Sequence, residues 1–502
     1  MDLIKERFSI FVNISLRLLF LLVLLGSIGL SFAVLIKLPM CDIVSVVLVC
    51  SAVLLVTIGG GYLTYKYIKL NKNYKIILLI ILAVAFIIRL LWILLVDVAP
   101  ISDFRVIYKA GGQFAKGNYS TFKGTGYIAR FPHLTITSIY FGIIQKIFTH
   151  HALLVVRLIN IALSTFNVYM LYLIGNELYG SKKKGLWIAF LSSIFPPFII
   201  YNLITCSENL AMPFFLASIY IFMLVVKAKK GSKWLVISAL LLSIGNLFRM
   251  VGPVIVVAYI LYLIVYWQRK KVVKASLSII LTFLIPLYIT NTVLLSQGIT
   301  EYPLWKGREP AITSVLRGTN LKSIGTWTVE DSEIPKRYNN DYKAVEDASK
   351  AIIKERLTTT PVYKLIPFYI AKFIGEWSLG DFAGMSWCTD ILEILNTSAD
   401  LTTYVSFYSQ IFYVIMLLFV YRGLFNKKQY LENKEINLFY IIFCGYGLLY
   451  LITELQQRYA YIISFVFVIL AFSFNEEVFM RRLNRRNILR ETKANNKNIV
   501  RG

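Results

Sequence analysis

Residues 75–104 read KIILLIILAVAFIIRLLWILLVDVAPISDF. Between Lys75 and Asp97 the only charge is Arg89, and a helix of that length covers the ~30 Å of a bilayer's hydrocarbon. The chemistry then changes abruptly, with Asp97, Pro100 and the element Ser102-Asp103-Phe104 following in quick succession. A membrane-crossing helix hands over to a polar segment at the membrane surface. The same alternation recurs along the chain, and it sets the fold class.

Similar apolar runs predict spans near 11–36, 43–65, 75–96, 152–178, 185–203, 208–227, 233–249, 251–267, 273–295, 399–421, 436–453 and 455–474. Of the 502 residues, 57% are hydrophobic and 16% charged, against about 25% charged in soluble domains. A soluble globular chain cannot hide that much apolar surface, and a disordered chain would not carry it. The expected fold is an all-α polytopic membrane protein of about twelve transmembrane helices. It divides into two N-terminal helices (1–70), a core with a first outer loop (71–295, loop 97–151), a long outer loop (296–398), C-terminal helices (399–474) and a basic tail (475–502).

A net charge of +26 on a soluble chain would point to nucleic acid, but its distribution argues against that. Residues 296–398 hold 13 of the 27 acids and 12 of the 53 bases, so the excess lies elsewhere. It sits in Lys66–Lys75, Lys182–Lys184, Lys227–Lys233, Arg269–Lys274 and Arg422–Lys434, on alternate connections, and in the tail with Arg481, Arg482, Arg485 and Arg486. Basic short loops mark the cytoplasmic side, so both termini are expected there and both long loops outside, with no nucleic-acid partner. The five cysteines are scattered and odd in number, which gives neither a disulfide framework nor a zinc spacing. His150 and His151 are adjacent and cannot share a helix face as ligands do; no metal site is expected.

In the first outer loop Phe104, Ile107, Tyr108 and Phe114 recur at helical spacing, and residues 136–148 form a second apolar stretch too short to cross. Both fit helices lying in the interface plane. In the second loop, Gly318-Thr319-Asn320 and Gly325-Thr326-Trp327 read as turns. A helix near 341–357 carries Ala344, Ala348, Ile352 and Ile353 on one face, and the aromatic residues 361–393 suit a surface over the membrane.

Charged residues near spans are functional candidates because hydrocarbon tolerates them poorly. On this topology Asp97, Asp103, Glu208, Arg249, Glu454 and Arg458 all fall at the outer surface. Such a cluster suits a lipid-borne anion: arginine binds phosphate by charge-assisted hydrogen bonds, and a carboxylate serves as a base. Arg89 and Arg157 lie deeper and read either as partners of carboxylates or as side chains reaching an interface.

Several motifs, taken in order, resemble the C-type membrane glycosyltransferases, in particular the bacterial relatives of protein O-mannosyltransferases and the lipid A aminoarabinose transferase. They are Ser102-Asp103-Phe104, Ala115-Lys116-Gly117-Asn118-Tyr119, Phe131-Pro132-His133, Arg157-Leu158-Ile159-Asn160, Pro196-Pro197, Ser207-Glu208-Asn209, Asn246-Leu247-Phe248-Arg249, the two Gly-Thr turns and Glu454-Leu455-Gln456-Gln457-Arg458-Tyr459. The resemblance covers roughly residues 75–474. It implies an inverting enzyme that takes a sugar from a polyprenyl monophosphate, in bacteria usually undecaprenyl phosphate, on the outer face of the cytoplasmic membrane. The acceptor would be a hydroxyl of an envelope glycan, glycolipid or protein. Asp103 becomes the candidate general base. Arg249, Arg458 and, more remotely, Arg308 become candidates for the leaving phosphate, while Glu208, Glu454, Tyr459 and His133 would bind or orient substrate. No cofactor beyond the lipid-linked donor is implied. The rival reading is a twelve-span transporter or lipid-linked sugar flippase. Against it stand the short 228–232 connection between the halves and the crowding of charge at one surface.

Overall fold

The computed structural model describes residues 2–37, 40–70, 73–388 and 401–474, which form helices and turns with no strand among them. The first three helices are α1 (Asp2–Lys37), α2 (Met40–Lys69) and α3 (Tyr74–Leu95). Two helices of the first outer loop follow, α4 (Ser102–Ala115) and α5 (Thr135–Phe148). The central bundle comprises α6 (Ala152–Tyr179), α7 (Lys182–Ile194), α8 (Ser207–Val226), α9 (Trp234–Phe248), α10 (Gly252–Tyr266) and α11 (Arg269–Ser296). The long loop holds α12 (Tyr342–Thr359) and α13 (Val362–Trp377), and the chain returns through α14 (Leu401–Gly423) and α15 (Ile436–Ile452).

Seven stretches among the described residues are long and apolar enough to cross a membrane, or eight if one bent pair counts as a span. By length and composition this does not establish the expected twelve. Helices α9, α10 and α15 are apolar but 15, 15 and 17 residues long, at or below the lower end of the ~17 to 25 residues typical of a span. The stretch expected as a last span, 455–474, folds as a 3-10 turn, Gln457–Ile463, and a six-residue helix, Phe465–Leu470. These last residues are buried inside the protein. Their apolar character serves a protein core, a purpose hydropathy cannot separate from contact with lipid.

The bent pair explains Arg89. The chain turns by 59° between Lys182–Ile194 and Pro196–Leu203. Pro196 and Pro197 have no N–H, so the carbonyls of Ser192 and Ser193 lose the donors a continuous helix would supply. The guanidinium of Arg89, fully buried in α3, donates to both, at 3.3 and 3.0 Å, and to Ser164 Oγ at 2.8 Å. Among the described residues Arg89 pairs with no carboxylate, and it is fully buried instead of reaching an interface; it closes a break in a helix, as buried backbone requires. Arg157 pairs with the exposed Asp97 at 3.2 Å and donates to the carbonyl of Val98.

Helix α1 is part of the core. Leu16, Phe20 and Val23 are fully buried, and Ser27 Oγ donates to Ser378 O. Helix α2 lies at the rim with most of its apolar residues exposed. In the first outer loop, α4 and α5 pack closely on one another. A Cβ on Gly111 would stand 2.6 Å from Ser138 O, and Gln145 donates across the pair to Tyr108 O at 2.9 Å.

The second loop differs from expectation in two places. Helix α12 buries Val345 and Ser349, with Ala348, Ile352 and Ile353 half-buried against Leu316 and Ile334. The aromatic stretch beyond it does not lie over the bundle; it enters it. Trp377 is fully buried, 4.8 Å from Phe443 and 6.1 Å from Phe467, and Phe382 packs 5.5 Å from Tyr413. A row of aromatic residues fits a protein interior as well as an interface, and the tertiary partners decide between them. Residues 389–393 of that stretch, and the basic tail 475–502, lie outside the described residues.

Candidate active site

Five segments distant in sequence meet beyond the ends of α3, α9 and α15. The first is the start of α4. Ser102 holds φ +44°, a left-handed backbone that costs a non-glycine residue of order 1–3 kcal/mol. Asp103 follows in the first helical turn, where the helix dipole favours a negative charge. Both of its oxygens are engaged: Tyr127 donates its hydroxyl to Oδ1 at 2.9 Å, and Arg458 Nη2 donates to Oδ2 at 3.1 Å. The Asp103 side chain stays 35% exposed, against 10% for Arg458, so the pair has one open side. Burial, with the Asp103 carboxylate beside it, pushes the Tyr127 phenol well above its ordinary range. Tyr127 therefore stays a donor.

Arg458 opens the 3-10 turn and is boxed by rings. Its guanidinium carbon lies 4.6 Å from the Trp387 ring, 4.9 Å from Phe104 and 5.4 Å from Tyr459. Yet Nε and Nη1 are buried with no hydrogen bond of full geometry among the described residues, the Tyr459 side chain being the polar group beside them. A charged donor left in that state costs free energy unless something accepts from it.

Tyr459 links this pair to a second one. Arg249, at the end of α9, lies 4.8 Å over the Tyr459 ring, and its Nε is 3.4 Å from Glu208 Oε1 at the start of α8. Ser207 donates to the other Glu208 oxygen at 3.2 Å. His133 stands in the turn Pro132–Leu134, within electrostatic reach of Arg249, Glu208 and Arg458. The structure therefore gathers Asp103, His133, Glu208, Arg249, Arg458 and Tyr459.

Two expected members make their direct contacts with other residues, although Glu454 lies within electrostatic reach of Tyr459. Glu454 pairs with Arg317 Nη1 at 3.3 Å and accepts from Gln456 Nε2 at 2.9 Å. Arg317 in turn holds Glu309 at 2.8 Å, and Glu309 also holds Arg130 at 2.5 Å. Arg308 is tied by its backbone N–H to Ala129 O, and its guanidinium meets no carboxylate among the described residues. Sequence reasoning missed Tyr127, Trp387 and the Glu309–Arg317 pair. Tyr127 and Trp387 carry no charge to flag them, and in a polar loop an acid and a base eight residues apart look like solvated side chains.

Among the described residues no three His, Cys, Asp or Glu side chains are grouped as metal ligands. An apolar groove of about 340 Å³, lined by Ile4, Ile264, Trp267 and Arg269 among others, opens at the opposite end of α10 from these residues.

Residues 137–294 match the family described as dolichyl-phosphate-mannose-protein mannosyltransferase. This supports the resemblance to membrane glycosyltransferases of that superfamily over the segment that carries Arg157, Pro196-Pro197, Glu208 and Arg249. Asp103, His133, Arg458 and Tyr459 fall outside the matched residues. No curated protein matches the chain. Among solved structures it is similar to the archaeal oligosaccharyltransferase AglB from Archaeoglobus fulgidus, solved in complex with an inhibitory peptide and a dolichol-phosphate. The identity is 14% and the TM-score 0.42, with 84% of this chain and 52% of that one covered. The chain thus spans about half the length of that protein.

Proposed function

We propose that this protein is an inverting glycosyltransferase that takes a sugar from a polyprenyl monophosphate, undecaprenyl phosphate in a bacterium, and passes it to a hydroxyl of an envelope glycan, glycolipid or protein. The observation that carries this reading is the contact between Asp103 and Arg458, 355 residues apart in sequence, with the carboxylate 35% exposed on its open side. The family match over residues 137–294 supports the same class of reaction.

In the proposed step the acceptor oxygen attacks the anomeric carbon and gives its proton to Asp103. The bond from that carbon to the phosphate oxygen breaks, and polyprenyl phosphate leaves with the bonding electrons. A hydroxyl is a weak nucleophile without a positioned base, which is the role assigned to Asp103. Base and leaving group must stand on opposite sides of the sugar. Arg458 bonds Asp103, whereas Arg249 meets the Tyr459 ring and pairs with Glu208, so Arg249 is the arginine assigned to the leaving phosphate. Arg458 both orients Asp103 and offers its remaining donors to the donor's anionic part. His133 and Glu208 lie within electrostatic reach of one another and of Arg249, and are assigned to sugar hydroxyls. The basic connections lie at the helix ends opposite this cluster, which supports cytoplasmic termini and an outward-facing site in the cytoplasmic membrane.

The test is a transfer assay with full-length protein in detergent, a panel of radiolabelled undecaprenyl-phosphate sugars and a crude envelope acceptor. Label moving to acceptor with wild type, and not with Asp103→Asn, supports the reading. A folded protein that consumes no donor on the panel overturns it.

A further inference from the structure

Arg458 owes its place to the three residues two to four positions before it, and these have no regular structure of their own. Glu454, Leu455 and Gln456 run as an extended segment between the end of α15 and the 3-10 turn. Each of their backbone N–H groups is accepted by the long outer loop. Glu454 donates to Ser314 Oγ at 3.4 Å, Leu455 to Gly325 O at 2.8 Å, and Gln456 to Glu376 Oε2 at 3.2 Å. Buried backbone donors need acceptors, and outside a helix or a sheet they must find them on neighbouring segments.

The acceptors are themselves tied together. Lys372 sits one turn before Glu376 on α13 and donates Nζ to Gly318 O at 2.6 Å, which fixes α13 to the 318–325 turn. Arg317 beside that turn holds the Glu454 carboxylate. Glu376 is 2% exposed, with its other oxygen, Oε1, buried and unpartnered. A carboxyl group in that setting is costly, and an apolar side chain would fill the space without the cost. What an apolar side chain lacks is an acceptor for the Gln456 N–H.

We infer that Glu376 is a positioning residue: through the Gln456 backbone it fixes Arg458 against Asp103, and the long outer loop is the template on which the 454–458 segment is laid. The inference rests on the reading of Arg458 as a group that meets the donor's phosphate. It takes the long loop out of the role of a simple cover and places part of the site's precision in a buried carboxyl that contacts no substrate.

The experiment measures equilibrium binding of radiolabelled undecaprenyl phosphate to the full-length protein in detergent. It compares wild type, Arg458→Ala, Glu376→Leu, Glu376→Gln and the double variant Glu376→Leu/Arg458→Ala. Glu376→Leu is expected to weaken binding about tenfold, or about 1.4 kcal/mol. Glu376→Gln keeps an oxygen acceptor and stays within about threefold of wild type. The double variant binds no worse than Arg458→Ala, because residues acting through one group are non-additive. A wild-type Kd for Glu376→Leu, or a full additive loss in the double variant, overturns the inference alone. A wild-type Kd for Arg458→Ala overturns the site reading as well. Should Glu376→Leu fail to fold, the double variant Arg317→Met/Glu454→Gln releases the same segment and leaves Glu309 its pairing with Arg130, so no carboxylate of the cluster is left buried without a cation. It too is expected to lose about tenfold in binding, and wild-type binding there overturns the inference.

Discussion

Asp103→Asn separates base catalysis from donor binding because of the way the carboxylate is held. Asparagine can turn its oxygen toward Arg458 and its amide toward Tyr127, whose hydroxyl then accepts, so both contacts at 3.1 and 2.9 Å have neutral substitutes. The charge is lost from a side chain 35% exposed, so solvent screening limits the stability cost to about 1 kcal/mol. Loss of a positioned general base costs on the order of 10² to 10⁴ in kcat. Binding should move the other way. Freed of its counter-carboxylate, the Arg458 guanidinium has more of its charge for phosphate, and undecaprenyl phosphate should bind as well as to wild type or up to about tenfold more tightly. Single-turnover transfer from a labelled donor gives the chemical step, and equilibrium binding of undecaprenyl phosphate gives Kd. A variant that transfers within threefold of wild type, or whose whole loss lies in Kd, refutes Asp103 as the base.

Arg249→Met leaves Glu208, whose side chain is 3% exposed, buried without its cation, and a loss of about 3–5 kcal/mol is expected as a fall in thermal midpoint. Adding Glu208→Gln should restore most of that stability but not donor binding. Gly111→Val places a side chain where a Cβ already lies 2.6 Å from Ser138 O, so α4 and α5 must separate and Asp103 shifts. Transfer should fall by at least tenfold with only moderate loss of stability. Burial pushes the Lys372 ammonium down to about 8 from its usual 10.5, against the opposing pull of Glu376 and Glu454. Between those values the unfolded chain binds the extra proton, so this group's contribution to stability rises with pH through that window and is constant below it. Lys372→Met loses the bond to Gly318 O at every pH, so its stability relative to wild type is expected to be most favourable at pH 7 and to fall by up to about 3 kcal/mol toward pH 10. Melting both proteins at the two pH values checks it, and a constant difference sinks the argument.

The all-helical class and the convergence at one surface were legible without coordinates, because a bilayer leaves few ways to satisfy a backbone and makes buried charge rare enough to notice. Asp103, Glu208, Arg249 and Arg458 stood out as charges beside apolar runs, and they do meet. Tyr127 and Trp387 did not stand out, since neither carries a charge and one tyrosine among 32 has no distinguishing neighbour in sequence. The partner of Glu454 was not legible for a related reason. The distance of Glu454 from Arg458 in sequence is four residues, but the segment between them is extended, and the side chain turns to Arg317 in the outer loop.

The sequence by itself determined where apolar runs begin and end, which connections are basic, and that ionisable groups cluster on the face away from those connections. Each follows from local composition measured against the solvent that surrounds it. The tertiary structure alone decided which apolar runs are core, how Arg89 repairs the Pro196-Pro197 break, which carboxylate each arginine takes, and that Arg458 is placed by the loop carrying Glu376. These depend on contacts between residues tens to hundreds of positions apart, where hydrogen-bond distance and burial set the energies and sequence spacing carries no such information.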